Sequence, residues 1–172
     1  MVTHCKYMFI LRILKNLLTP DWLARRAFSA AALARIEAAI QQSEASHRGE
    51  IRFAVEGGLP LLSLLKGVTA RARAITVFSD LRVWDTADNT GVLVYLQRVD
   101  RDVEIVADRG INARVTQDEW EAICRRMEAA FRAGRFEAGV IAGISEITAL
   151  LTRHFPARAS NPDELSNQPV TL

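Results

Sequence analysis

Residues Val83–Ile111, with the sequence VWDTADNTGVLVYLQRVDRDVEIVADRGI, decide the fold of this 172-residue chain. Val92–Leu96 is apolar on both faces, which is typical of a central strand in a sheet covered on two sides. Val103–Ala107 predicts a partner strand, and the turn Val99–Asp102 is short enough to require an antiparallel hairpin. The sequence therefore predicts a buried hairpin with an acidic loop before it and an Asp-Arg-Gly corner after it.

The segments around this hairpin extend it into an α/β pattern. Glu50–Glu56 alternates between polar and apolar residues, which predicts a strand. Residues 61–82 follow a Gly-Gly-Leu-Pro break and have helical spacing, with an interruption at Gly67. A helix that connects two such strands makes them parallel, with a right-handed crossover. Three further helices are predicted. One begins after the cap residue Ser29, one begins at the capping box Thr116–Glu119, and one is indicated by the apolar stripe of about Phe136–His154.

The order of these elements indicates the fold class. It predicts a three-layer α/β/α sandwich with a small mixed sheet that contains one β-hairpin. With 49% apolar residues, the chain can fill its core without disulfides or metal. Gly139 and Gly143 are four residues apart, which predicts close packing of a helix. We expect three parts: an amphipathic helical extension over residues 1–28, the main domain over 29–155, and a disordered polar tail over 156–172.

Composition and motifs exclude several classes of function. A net charge of +2 gives no strong attraction to nucleic acid, and the paired arginines are not interleaved with aromatic residues, so we expect no nucleic-acid partner. The sequence has no phosphate loop, dinucleotide fingerprint, nucleophile elbow or zinc spacing. Cys124 is predicted to be a buried thiol, and His47 a surface or strand-entry residue rather than a base.

Residues 8–18 carry the strongest signal for a partner. Apolar residues recur there at helical spacing, with Arg12, Lys15 and Asn16 between them. One interpretation is a helix packed on its own domain; the other is an interfacial helix that contacts a membrane surface or a protein partner. The segment is too short and too charged to span a bilayer, and no signal-peptide cleavage site follows it. The expected location is cytoplasmic, and a peripheral association with the inner membrane is open.

Polar residues on either side of the hairpin form the candidate site. Asp85, Asp88 and Asn89 precede the first strand, and the hairpin returns Asp108 to the same end of the sheet. Carboxylate and amide oxygens gathered at one sheet end are the ligands of a hard divalent cation, calcium or magnesium. Arg109 could hold the neighbouring carboxylate ionised or steer an anion such as phosphate, which makes it a candidate catalytic residue. The alternative is that these residues only form turns and caps.

The order of these pieces resembles the TPM domain family over about residues 29–155. The motifs that carry the resemblance are a tryptophan, an Asn-Asn-Gly-type turn, two strands separated by an Asp-Arg turn, a Gly-containing corner, and spaced aromatic and glycine residues. They stand at Trp84, Asn89-Thr90-Gly91-Val92-Leu93-Val94, Asp100-Arg101, Val103-Glu104-Ile105-Val106, Asp108-Arg109-Gly110-Ile111, Phe131, Gly134, Phe136, Gly139 and Gly143. The resemblance implies the same three-layer α/β/α sandwich.

The resemblance also implies divalent-cation binding, of calcium especially, and some members are reported as acid phosphatases. Bacterial members often accompany LemA-like envelope proteins, which makes such proteins expected partners. Secreted members carry a signal peptide and often a C-terminal membrane segment, so this sequence is similar to a short, non-secreted bacterial subtype. Asp108-Arg109-Gly110 replaces a common Gly-Tyr-Gly corner, and Asp85 stands where others often have Gly, so we expect the chemistry of the site to differ.

Three functions follow from these observations. The first is a non-catalytic TPM domain that binds a divalent cation at Asp85, Asp88, Asn89 and Asp108 and serves as an accessory or assembly factor near the cell envelope. The second is a metal-assisted, acid-phosphatase-like hydrolase of phosphate monoesters, in which a cation polarises the phosphoryl oxygens and Arg109 neutralises the transferred charge. The third is a metal-free protein-interaction module that uses the N-terminal amphipathic helix.

Overall fold

A computed structural model of the chain describes residues 13–14, 16, 28–59, 61–159 and 161–172, so most of the predicted extension over 1–28 lies outside the described residues. Within these ranges, no helix has both the length and the apolar character needed to cross a bilayer. The helices and strands, in chain order, are α1 (Ala30–Glu44), β1 (Glu50–Glu56), α2 (Leu61–Leu65), α3 (Ala70–Asp80), β2 (Gly91–Gln97), β3 (Asp102–Ala107), α4 (Arg109–Asn112), α5 (Gln117–Arg132), α6 (Phe136–His154) and β4 (Val170–Thr171).

The helices begin at the cap residues that the sequence predicts. Ser29 caps α1, because its hydroxyl oxygen accepts a hydrogen bond from the backbone N–H of Ala32 at 3.1 Å. Before α5, Thr116 and Glu119 exchange side-chain and backbone hydrogen bonds as a capping box. The region 61–82 forms the two helices α2 and α3, and Gly67 between them has the left-handed φ of 68° that glycine adopts without strain.

The strands form one mixed sheet in the order β3-β2-β1-β4. β1 and β2 are parallel, and Glu50 pairs with Gly91 where both strands begin. β2 and β3 are antiparallel and form the predicted hairpin, in which Val92 pairs with Ala107. The starts of β1 and β2 and the end of β3 therefore lie together, at what we call the polar end of the sheet.

Helices cover both faces of this sheet, which confirms the predicted α/β/α layers. The larger core lies between one face and helices α1, α5 and α6, and it takes the alternating β1 residues Ile51, Phe53 and Val55. The smaller core packs α3 against the other face, at residues such as Ala54 and Tyr95. Burial of this apolar surface is the main favourable term in folding.

Two glycines allow α6 to pack closely on α5, as their spacing predicts. A Cβ atom on Gly139 would lie 2.7 Å from the Phe131 ring, and one on Gly143 would overlap with the Met127 side chain. Because protein interiors are close-packed, a larger residue at either position would force the two helices apart. The helix pair thereby closes the larger core.

The C-terminal segment, predicted to be a disordered polar tail over residues 156–172, includes a short strand on the sheet. Val170–Thr171 form β4, which pairs in parallel with β1. The Leu172 N–H then donates to the Val55 carbonyl at 2.9 Å. Polar composition gave no signal for this strand, because the open edge of β1 supplies the unpaired backbone groups that order it.

Candidate functional site

Several chain segments meet at the polar end of the sheet. The Thr90 hydroxyl donates to the Arg48 carbonyl at 2.9 Å, and the Glu50 N–H donates to the Thr90 carbonyl at 3.1 Å. These bonds tie the entry of β1 to the entry of β2. The segments at this end are the β1 entry (44–50), the acidic loop (83–89), the Asp-Arg-Gly corner (108–110) and the described residues of the tail (158–159 and 161–165).

The acidic loop lies against the Asp-Arg-Gly corner, as the hairpin predicts. The Gly110 N–H donates to the Asn89 carbonyl at 3.1 Å, and a Cβ on Gly110 would lie 2.6 Å from that same oxygen. Arg109 Nε donates to Asn89 Oδ1 at 2.9 Å. Asn89 itself has a left-handed φ of 54°, which asparagine adopts more readily than most residues. Glycine at position 110 is therefore required for this close approach.

Two carboxylates of this area already have partners. Asp88 Oδ2 accepts from Arg48 Nη1 at 2.5 Å and lies 3.2 Å from Arg158 Nη1. Asp108 Oδ1 accepts from the Arg109 backbone N–H at 2.7 Å and caps α4. Its Oδ2 is buried and has no hydrogen-bond partner among the described residues. The positive charge that balances Asp88 therefore comes from the protein itself.

Asp85 lies on the outer part of the loop. It is exposed, and its backbone N–H donates to the Arg82 carbonyl at 2.9 Å; Trp84 beside it is half exposed. Within the described residues, the oxygens of Asp85, Asp88 and Asp108 do not form a group in which all lie within 4.8 Å of one another. The three aspartates predicted as metal ligands therefore share a region without forming one cluster of carboxylate oxygens.

A different group, which we call the carboxylate cluster, lies at the edge of β1. Glu44, Glu50 and Asp163 each offer an oxygen, and these oxygens all lie within 4.8 Å of one another. Glu44 ends α1 and is buried, and its Oε1 accepts from the Ile51 N–H at 2.8 Å. Glu50 begins β1 and is also buried, and its Oε2 accepts from the Leu165 N–H at 3.2 Å. The exposed Asp163 arrives with the tail.

Burial and mutual repulsion raise pKa values in the carboxylate cluster. Burial is the main reason that the pKa of Glu44 is raised to about 8, the charges of Glu50 and Asp163 add to it, and the hydrogen bond from Ile51 opposes it. The pKa of Glu50 is also raised, again chiefly by burial. In the described ranges, no ion pair joins a lysine or arginine to these three carboxylates. The cluster therefore retains a proton at neutral pH unless a cation replaces it.

Two further polar side chains interact with Glu44. Asn167 hydrogen-bonds to it and keeps its own Oδ1 buried, without a partner among the described residues. Arg52 is nine-tenths buried on β1, and burial lowers its pKa while the charge of Glu44 raises it. An amide oxygen is a good ligand for a hard cation, whereas a guanidinium group is not a ligand. Asn167 could therefore extend the oxygen set, and Arg52 would compete with a cation for the negative charge.

The Ser43–His47 pair beside the cluster is not arranged for nucleophilic catalysis. His47 is fully buried, so it is a strand-entry residue and not a surface one. Its Nδ1 accepts from the Gly49 N–H at 3.2 Å, which leaves Nε2–H to donate to Ser43 Oγ at 2.8 Å. Burial lowers the pKa of His47 to about 4. A histidine that donates to a serine cannot accept its proton, so the pair has a structural role.

The residues of the carboxylate cluster were absent from the predicted site. Glu44 and Glu50 are close in sequence but belong to different elements, and Asp163 follows more than a hundred residues later in a polar tail. The only local signal is Glu50, a charged residue at the start of a strand whose residues are all buried. A buried carboxylate of this kind needs a partner, and that requirement could have directed attention to it.

Comparison with known proteins agrees with this architecture. A family model described as the TPM domain matches residues 24–150. Among solved structures, the NMR structure of the BA42 protein from the psychrophilic bacterium Bizionia argentinensis is similar, with 29% sequence identity and a TM-score of 0.75. The similarity covers 84% of this chain and 95% of that one. Comparison with curated proteins gives no match.

Proposed function

The chain belongs to the TPM domain family, and we propose that it is an accessory protein that binds a divalent cation. The carboxylate cluster carries this proposal, because Glu44, Glu50 and Asp163 place oxygens within 4.8 Å of one another. Calcium takes about 6–8 oxygen ligands, so three carboxylates with water, and with the Asn167 amide, suit it. The accessory role near the cell envelope, beside LemA-like proteins, follows from the family resemblance.

The proposal makes cation affinity depend on pH. A carboxylate must lose its proton before it can bind a metal, and the pKa of Glu44 is about 8. A bound cation would displace that proton and would relieve the repulsion among the three carboxylates. We therefore expect affinity to increase as the pH rises toward about 8.

A cation at this position would join three parts of the fold. Glu44 belongs to α1, Glu50 to β1, and Asp163 to the tail that ends in β4. The same ion would thus hold the tail on the edge of β1. This suits an accessory protein, because the docking of its last strand would depend on the cation.

The predicted ligands Asp85, Asp88, Asn89 and Asp108 are the second position that we propose for a cation in this region. A cation there would have to displace the arginine side chains that now contact Asp88 and Asn89. Arg52 also acts on the charge of Glu44, but it forms no ion pair with the carboxylate cluster among the described residues, so no ion pair has to be broken there and the cluster is the preferred position.

The test is thermal unfolding at pH 8, first with a chelator and then with millimolar calcium or magnesium. A cation that binds only the folded state stabilises it by about 2.7 kcal/mol at a hundredfold excess over the dissociation constant. We expect the double variant Glu50→Gln/Asp163→Asn to lose this stabilisation and the matched variant Asp85→Asn/Asp108→Asn to keep it. The reverse pattern would move the site to the acidic loop. No shift in the unmodified protein would refute cation binding and favour the metal-free interaction module.

The phosphatase alternative has less support in the geometry. Arg109 is exposed and its Nε is held by Asn89, and the Ser43–His47 pair is not set up for nucleophilic attack. Phosphate release from a generic phosphate monoester that is lost in Arg109→Ala would support a phosphatase. Activity that persists in that variant would point to a contaminating enzyme.

A further inference from the structure

The short helix α2 exposes a group of leucines at the end of the sheet opposite to the carboxylate cluster. Leu62 is 71% exposed, Leu65 57% and Leu61 44%, and we call these three residues the leucine patch. Leu64 of the same helix is buried and holds it on the domain. Apolar side chains exposed together in this way commonly mark a surface that contacts another apolar phase.

A fourth leucine is held at the same end of the molecule. Asn16 is buried, and its Oδ1 accepts hydrogen bonds from the Leu59 N–H at 3.0 Å and from Gln97 Nε2 at 3.3 Å. These bonds tie Asn16 to Leu59, shortly before α2, and to Gln97 at the end of β2. Leu14, two residues earlier, is 47% exposed. The rest of residues 8–18, predicted as an amphipathic helix, lies outside the described residues.

The charge of the surrounding sequence identifies the kind of partner. Residues 57–76 contain one lysine and two arginines and no acidic residue, and residues 1–28 contain five basic residues and one aspartate. Because the whole chain carries only +2, the remainder of the chain is net negative. Arg71 and Arg73 are engaged with Glu104 and Glu56, so Lys66, directly after α2, is the basic residue of this stretch that forms no ion pair among the described residues.

We propose that the leucine patch inserts into the surface of an anionic lipid bilayer. Exposed leucines beside Lys66, in a stretch of sequence without acidic residues, match the surface of an anionic bilayer, which has negatively charged headgroups over an apolar interior. The seven-residue strand β1 separates this surface from the carboxylate cluster by roughly 20 Å. The proposal is therefore independent of cation binding, and a membrane-bound molecule would keep its polar end in water.

Vesicle flotation with the full chain tests the proposal. One set of vesicles is phosphatidylcholine alone, and the other contains about 30% phosphatidylglycerol. The unmodified protein should float with the anionic vesicles. Leu62→Ser/Leu65→Ser should weaken that binding by roughly tenfold or more, because two leucines no longer leave water. Lys66→Gln should weaken it by about fivefold, the effect of one cation near an anionic surface.

The matched control is Trp84→Ser, which removes a half-exposed apolar side chain at the polar end. It should float like the unmodified protein. Because Leu62 and Leu65 are exposed, the double variant should also keep the unfolding midpoint of the unmodified protein, which checks its fold. Binding that is absent in the unmodified protein, or unchanged in the double variant, would overturn the proposal. A change from dimer to monomer in the double variant, without lipid, would also overturn it and assign the patch to a second copy.

Discussion

In the acidic loop, Asp88 lies between two guanidinium groups, whereas in the carboxylate cluster Glu44, Glu50 and Asp163 lie against one another. Both regions are at the polar end of the sheet, and the tail contacts both: the Ala87 N–H donates to Glu164 Oε2 at 2.7 Å. They differ in how their negative charge is balanced. The loop carboxylate Asp88 is paired with two arginines, whereas the cluster has no such ion pair among the described residues and only the nearby charge of Arg52, so it depends largely on a proton or a cation.

The number of acidic residues in a segment therefore does not identify a cation site. A carboxylate paired with arginine already has its counter-charge, and a metal gains little by replacing it. Carboxylates that repel one another in a buried position gain much more from a cation. The balance of charge around the carboxylates is therefore a better guide than their spacing along the chain.

The largest effect is expected where the acidic loop meets the sheet, at Gly91. A Cβ atom at this position would overlap with the Val83 carbonyl oxygen, which belongs to backbone and cannot rotate away. Gly91→Ala should therefore reduce the free energy of unfolding by about 3 kcal/mol or more. Urea unfolding of the two proteins measures this change.

Gly67→Ala is the matched control for that variant. No atom lies within 4 Å of a Cβ built there, so the only cost is the left-handed backbone, about 1 kcal/mol. If both substitutions cost the same, the loop can move away from β2. The acidic loop would then not be held rigidly against the sheet, and it would no longer differ in this respect from the carboxylate cluster.

The next effect is the pH dependence of stability, which tests the carboxylate cluster. The pKa of Glu44 is about 8 in the folded protein, above the ordinary value of 4.5. The folded state therefore binds the extra proton, and its stability falls as pH rises from about 4.5 through about 8. Glu44→Gln removes this titration and keeps an oxygen for the Ile51 N–H. Without a cation, it should be more stable than the unmodified protein at pH 8.5 and similar to it at pH 4.5.

Thermal unfolding at the two pH values measures this difference. In a domain of this size, each kcal/mol shifts the unfolding midpoint by about 2–4 °C. His47 has the opposite effect on the pH dependence of stability. Its pKa is lowered to about 4, so its contribution to stability is present above pH 6.5 and is lost as the pH falls through about 4. The exposed variant Glu121→Gln serves as control, since it makes the same chemical change on the surface of α5, outside the carboxylate cluster. A Glu44→Gln variant that behaves like Glu121→Gln would show that the pKa of Glu44 is not raised in the folded protein.

The parts of the fold that could be predicted from the sequence are those encoded locally. The caps at Ser29 and Thr116 involve residues three positions apart, and the turn Val99–Asp102 fixes the hairpin. The parallel pairing of β1 with β2 follows from a general rule of handedness and needs no distant contact to be predicted. For the caps and the hairpin, the signal and the structure that it produces lie in the same stretch of chain.

The parts that could not be predicted depend on distant residues. β4 contains only Val170–Thr171, and its position is set by an edge of β1 far away in sequence. The loop carboxylate Asp88 was a reasonable candidate ligand until Arg48 and Arg158 were placed beside it. The carboxylate cluster could not be predicted for the same reason, because Asp163 lies far from Glu44 and Glu50 in sequence and meets them only in the folded structure.

The smallest effects are expected from single neutralisations, and their signs separate the two regions. Asp88→Asn removes an exposed carboxylate from two arginines, so it should lower the free energy of unfolding by about 0–1 kcal/mol. Asp163→Asn removes a like charge from the cluster, so it should raise the free energy of unfolding slightly at pH 8 without a cation. Salt at about 1 M, where the screening length is about 3 Å, should reduce both changes. Two changes of the same sign would contradict the comparison, because the cluster would then be balanced by the protein just as the loop is.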